Sequence, residues 1–171
     1  MDNLKKTKKG ATLNLNSAGS ALLEVLFGVS VVSIVLLSLL GAYSVYLKNS
    51  FRLTEKIQAS FLAEEGVEAI RVIRDSSFNI GIDPLVSNTP YYFSFEDGTW
   101  KATTTSVVID GQFWRTFKIF AVNRDSNDDI VTSGGANDPN TKMTVVTVSW
   151  NSGGATSTIS ISTYLTNLFS N

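Results

Sequence analysis

The apolar positions of this chain follow three different rhythms. From Val25 to Leu47 the sequence reads VLFGVSVVSIVLLSLLGAYSVYL, 23 residues without a charge. As a helix rising about 1.5 Å per residue, this run is roughly 35 Å long, enough to cross a hydrocarbon core of about 30 Å. The apolar part of a signal peptide is shorter, about 7–15 residues, so the pattern predicts an anchor that stays attached. Residues 48–75 change to a helical stripe. Ala59, Leu62, Gly66, Ala69 and Ile73 recur at alternating spacings of three and four, with Phe61 and Val72 widening the stripe. Lys56, Glu64, Glu68, Arg71 and Asp75 occupy the polar side, with Arg71 and Asp75 placed as i,i+4 partners. Gly66 in mid-helix disfavours the helix by about 1 kcal/mol, and predicts a sheet approaching closely at that point.

SSFNIGIDPLVSNTP at 76–90 ends the helix as a turn-rich connector. From Tyr91 onward the period is two. Tyr91–Phe95 reads as a strand, Asp97-Gly98 as a hairpin turn, and Trp100–Ile109 as a stretch bent around Thr103–Ser106. After Asp110-Gly111, the residues Phe113, Phe117, Ile119 and Ala121 share one face of a strand over Phe113–Val122. Val146, Val148 and Trp150 share one in Thr144–Trp150. Asn151–Gly154 turns the chain, and Ile159, Ile161, Thr163 and Leu165 alternate in the last strand. The expected fold is α+β, with a long N-terminal helix packed on an antiparallel sheet of four or five strands.

Charge sharpens the N-terminal picture. The chain has 171 residues and a net charge of −1. Residues 1–19 carry four lysines and one aspartate, or +3, which leaves −4 for residues 20–171. Lys5, Lys6, Lys8 and Lys9 favour a cytoplasmic N-terminus, so everything after residue 48 is expected to face outward. The mildly acidic remainder argues against a nucleic-acid surface. The chain has no Cys and no His, which excludes disulfides, thiol nucleophiles, Ser-His-Asp catalysis and His-ligated zinc. Between Lys9 and Lys48 the only charge is Glu24, at the lip of the apolar run. A carboxylate carried to the middle of a bilayer is unfavourable by about 2.5–3.5 kcal/mol on insertion scales, so an acid held at this place is a functional candidate.

The segment Gly19-Ser20-Ala21-Leu22-Leu23-Glu24-Val25-Leu26, preceded by a lysine-bearing leader and followed by the apolar run, resembles a type IV prepilin. LAEEGVEAIRVIRD resembles, more loosely, the matching part of minor pilins and pseudopilins. The residue after the glycine is Ser20 where many pilins carry Phe or Met, and the leader is longer than in many members. The resemblance implies cleavage between Gly19 and Ser20 by a membrane aspartyl prepilin peptidase, N-methylation of Ser20, and Glu24 as the residue that guides subunit assembly. It implies the pilin fold, with 1–19 as cytoplasmic leader, 20–47 as transmembrane and assembly helix, 48–75 as its amphipathic continuation, 76–90 as connector and 91–171 as the outward sheet domain. Other pilin subunits, the prepilin peptidase, an assembly platform and the membrane are the implied partners.

The polar segment 123–142, NRDSNDDIVTSGGANDPNTK, reads as a long loop. Asp125, Asn127 and Asp129 have the spacing of calcium ligands, with Asp138 as a further oxygen donor. The glycine of a calcium loop's sixth position is replaced by Ile130, and its twelfth-position glutamate by Ala136. Asx turns in a solvated loop explain the same residues. An exposed loop of this kind is also where adhesion would reside. No enzyme signature is present: Ser133-Gly134-Gly135 lacks the lysine and the strand-to-helix setting of a phosphate loop.

Three readings of function follow. The first is a structural subunit of a type IV pilus, a minor pilin, held in the cytoplasmic membrane and then exported into an extracellular fibre. The second is a pseudopilin of a type II secretion or DNA-uptake machine, ending in a periplasmic pseudopilus. The third is a membrane-anchored outward binding domain in which Gly19 and Glu24 are accidental.

Overall fold

The structure, a computed structural model, describes residues 15–168. Residues 1–14, with the four leader lysines, lie outside the described residues. The chain divides into two compact units, Met1–Asn49 and Ser50–Asn171. One helix, α1 (Leu15–Ser76), supplies all the described structure of the first unit and opens the second.

In the first unit the helix is apolar on all sides, and its large side chains, from Leu22 to Tyr46, are exposed. It is long and apolar enough to cross a membrane. Four serines interrupt the apolar run, yet each hydroxyl donates back to the carbonyl one turn earlier. Ser30 bonds Leu26 at 2.7 Å, Ser33 bonds Val29 at 2.7 Å, Ser38 bonds Ile34 at 2.8 Å and Ser44 bonds Leu40 at 3.0 Å. Satisfied in this way, a hydroxyl can enter hydrocarbon without an unpaired donor.

In the second unit α1 covers one face of an antiparallel sheet. The strands are β1 (Tyr91–Glu96), β2 (Thr99–Thr103), β3 (Val108–Ile109), β4 (Phe113–Arg124), β5 (Ile130–Val131), β6 (Ala136–Ser152) and β7 (Ala155–Thr166). Their order is β2-β1-β4-β6-β7, with the short β3 and β5 paired to β4. Seven strands form instead of four or five, because Trp100–Ile109 divides into β2 and β3, and the segment 123–142 contributes β5 and the start of β6. Two tight turns carry left-handed residues: Asp97 and Gly98 at φ 53 and 76, and Gly153 and Gly154 at φ 63 and 86. Both suit the right-handed strand twist.

The helix buries Ala59, Ala63, Gly66, Val67, Ala69, Ile70 and Ile73, with Leu62 partly covered. Phe61 and Val72 point away and are exposed, contrary to expectation. At about 100° per residue the stripe is completed by Ala63, Val67 and Ile70, which fall between its anchors. Arg71 pairs with Glu68 at 2.6 Å and Arg74 with Asp75 at 2.7 Å, so the expected Arg71–Asp75 pair is not made. Gly66 does sit at a close approach. A Cβ there would lie 2.7 Å from Val146 Cγ1 and 3.0 Å from Arg115 Cδ. One cluster joins Val67, Ile70 and Ile73 to Phe93, Phe117, Ile119, Val146 and Leu165. A second joins Ala59 and Ala63 to Phe113, Val148 and Trp150.

The connector contains a four-residue helix, α2 (Phe78–Gly81), capped by the Ser77 side chain. Phe78 and Ile82 plug the core from below the end of α1. Along β4 the inward alternation Phe113, Arg115, Phe117, Ile119 ends in a register shift between Ala121 and Val122. The pairing of β4 jumps there from Lys142 to Asp138 on β6. Val122 is therefore buried and Ala121 exposed, the reverse of strict alternation.

Candidate functional site

The residues singled out at the N-terminal end all lie on α1. Gly19, Ser20 and Glu24 are helical and exposed. Ser20 and Glu24 are four residues apart, which places them on one face, one turn from each other. Among the described residues a Cβ built on Gly19 would touch nothing within 4 Å, so no packing there requires a glycine at this position. Among the described residues no cation is paired with Glu24. The carboxylate stands one residue before the exposed apolar run, and the next charge along the helix is Lys48.

The proposed calcium ligands are organised as a turn. Asp125 Oδ1 accepts the backbone N–H groups of Asn127 at 2.8 Å and Asp129 at 3.0 Å. The Asp125 N–H in turn bonds the Asp129 carbonyl at 3.0 Å. Asp138 is taken by Arg124, whose Nε donates to Oδ2 at 2.8 Å, while Arg124 also reaches the Asp128 carbonyl at 2.7 Å. That hydrogen bond from Arg124, then one from Thr141, holds the Asp138 carboxyl below the usual carboxylate range. The same bond raises Arg124 above its ordinary value. Among the described residues no three acidic side chains gather as a metal group. The long loop is shorter than expected, since β4 continues to Arg124 and β6 begins at Ala136.

One charged residue escaped the sequence reading. Arg115 faces inward from β4 and is 5% exposed. Its Nη1 donates to Glu65 at 2.7 Å and to the Leu62 carbonyl at 3.0 Å, both on α1. Its guanidinium lies over the rings of Phe93 and Trp100, 5.2 Å and 5.4 Å from their centroids. The Nε–H is buried, with no acceptor among the described residues. The signal was available: Phe113-x-Arg115-x-Phe117-x-Ile119 puts a cation in an inward position of an alternating strand.

Comparison with protein-family models, with curated proteins and with solved structures finds no match to this chain.

Proposed function

We propose that the chain is a structural subunit of a type IV pilus, a minor pilin processed by prepilin peptidase and polymerised through its apolar helix. The single observation that carries this reading is Glu24, a lone acid at the entrance to a long exposed apolar helix, five positions after Gly19. The α+β architecture, in which the second half of α1 covers an antiparallel sheet, is compatible with it.

On this reading the leader lies in the cytoplasm and the sheet domain outside. Cleavage after Gly19 frees an ammonium at Ser20, which the peptidase methylates, and the helix dipole adds positive potential there. Within a bundle of apolar helices an unpaired Glu24 is unfavourable, and the amine of a neighbouring subunit neutralises it. Removing one member of a buried ion pair destabilises by about 3–5 kcal/mol, whereas the intact pair adds little. Glu24 therefore acts as an alignment device, penalising wrong registers more than it strengthens the right one.

Intact-mass measurement on protein from native membranes and from sheared fibres tests this. The expected mature chain begins at a methylated Ser20 and is found in the fibre fraction. Glu24→Ala is expected to be cleaved and inserted normally but depleted from fibres at least about tenfold. A chain that retains Met1 and never leaves the membrane refutes the proposal.

A further inference from the structure

The sheet is forked at Arg115. Strand β1 pairs with β4 only through Tyr91↔Phe117 and Tyr92↔Thr116. The next rung would set Phe93 opposite Arg115, and it is not made. Strand β3 takes over the same edge of β4 one residue further on, with Val108↔Trp114 and Ile109↔Phe113. Between the departing β1–β2 hairpin and β3 lies a cavity of about 340 Å³. Consecutive residues of β1, from Phe93 to Glu96, line it. Residues from both faces of one strand can line the same space only if it opens into the gap between strands.

The lining is mainly apolar: Phe93, Phe95 and Trp100 come from the β1–β2 hairpin, Val107 and Ile109 from the β3 segment, and Arg115 from β4, with Ser94 and Glu96 as the polar members besides the arginine. Arg115 is already neutralised on its Nη1 side by Glu65, yet its buried Nε–H has no acceptor among the described residues. A buried donor without a partner is rare in folded proteins and asks for an explanation. Arginine offers five N–H donors in a planar fork that matches a carboxylate. The carboxylate of Glu96, which lines the cavity, is largely exposed, and Lys101 lies 3.8 Å from it, so solvent and salt screen it.

We propose that this fork is a binding site for a small organic carboxylate with an aromatic or branched apolar body. The carboxylate takes the Nε–H edge of Arg115, the buried donor left without an acceptor among the described residues, and the body lies between the aromatic residues of the hairpin and β3. The volume is at the small end of ligand pockets, about 300–1,000 Å³, which suits a single ring. This inference does not depend on the pilin reading, because every residue it uses lies in the second unit, Ser50–Asn171, and neither Gly19, Ser20 nor Glu24 enters it.

The test uses the full chain in detergent micelles, with phenylacetate as probe and phenylacetamide as its neutral match. Nuclear magnetic resonance follows the Arg115 Nε–H and the three tryptophan indoles during titration. Phenylacetate is expected to saturate, moving the Arg115 and Trp100 signals but not that of Trp150, and to bind at least about tenfold more tightly than the amide. Arg115→Met is expected to abolish binding. Ile109→Trp, which fills the slot and leaves the arginine in place, should abolish it as well, so the proposal stays testable if the first variant does not fold. Absence of saturation up to about 10 mM phenylacetate, equal binding of the amide, or binding retained in either folded variant overturns it.

Discussion

Gly66 offers the sharpest test of how the helix meets the sheet. Replacing it by alanine puts a Cβ 2.7 Å from Val146 Cγ1 and 3.0 Å from Arg115 Cδ. Comfortable carbon–carbon separation is about 3.5–4.0 Å, so the first contact overlaps by roughly 1 Å. Val146 cannot easily move aside. It is fully buried, β-branched, and paired with Phe117 on one flank and Ile161 on the other. The helix must therefore lift, loosening Ala63 and Ile70 and stretching the bond from Arg115 to Leu62. Overpacking of this kind destabilises by about 1–3 kcal/mol. Alanine favours a helix over glycine by about 1 kcal/mol. The expected net effect is a loss of about 1 kcal/mol, and Gly66→Val, with more bulk and a smaller propensity gain, should lose about 3 kcal/mol. Urea unfolding followed by tryptophan fluorescence reads both. A Gly66→Ala chain more stable than the parent by about 1 kcal/mol would show that propensity decides and that the close approach does not.

Gly19→Val should leave an unprocessed precursor, seen as an unshortened band beside the parent; a normally shortened product would refute the assigned cut. The Arg124–Asp138 pair should show an acid-side signature. The folded-state pKa of Asp138 is depressed, so the pair's stabilisation is complete above about pH 4, the ordinary carboxylate range, and is lost as pH falls through the lower folded value. The Arg124 Nε–H resonance should therefore titrate below about pH 4 in the parent and show no such step in Asp138→Asn. An identical step in the variant would assign the titration to another group.

Much of this fold can be read from local signals. Asp97-Gly98 and Gly153-Gly154 mark two-residue turns because left-handed backbone needs such residues. The strands from Tyr91, Phe113 and Thr144 show themselves through alternation. The failures also have local causes. The first residues of β6, Ala136 to Thr141, are mostly polar and include Pro139, so no apolar rhythm announces a strand there. The shift at Ala121 and Val122 inserts extra residues into β6, and a period of two cannot foresee an insertion. Phe61 and Val72, which would widen the stripe on α1, are exposed. The sheet instead selects small residues, Ala59, Ala63 and Gly66, where the backbones come near. Arg115 breaks the apolar alternation that defines its strand, and such contradictions are where function or strain is expected.

The two halves of α1 use glycine for opposite reasons, and that contrast bears on the proposed function. Gly66 is accounted for inside the chain, since Val146 and Arg115 occupy the space a side chain would need. Gly19, Gly28 and Gly41 have nothing within 4 Å of a built Cβ, although each disfavours the helix by about 1 kcal/mol relative to alanine. Glu24 shares their condition, an unfavourable residue for its surroundings with no compensating contact among the described residues. Small residues let apolar helices approach closely, and an acid in such a bundle requires a cation. Four positions in the first half of α1 therefore carry a disadvantage that no contact among the described residues offsets. A neighbouring helix, bearing an amine level with Glu24, would offset all four at once.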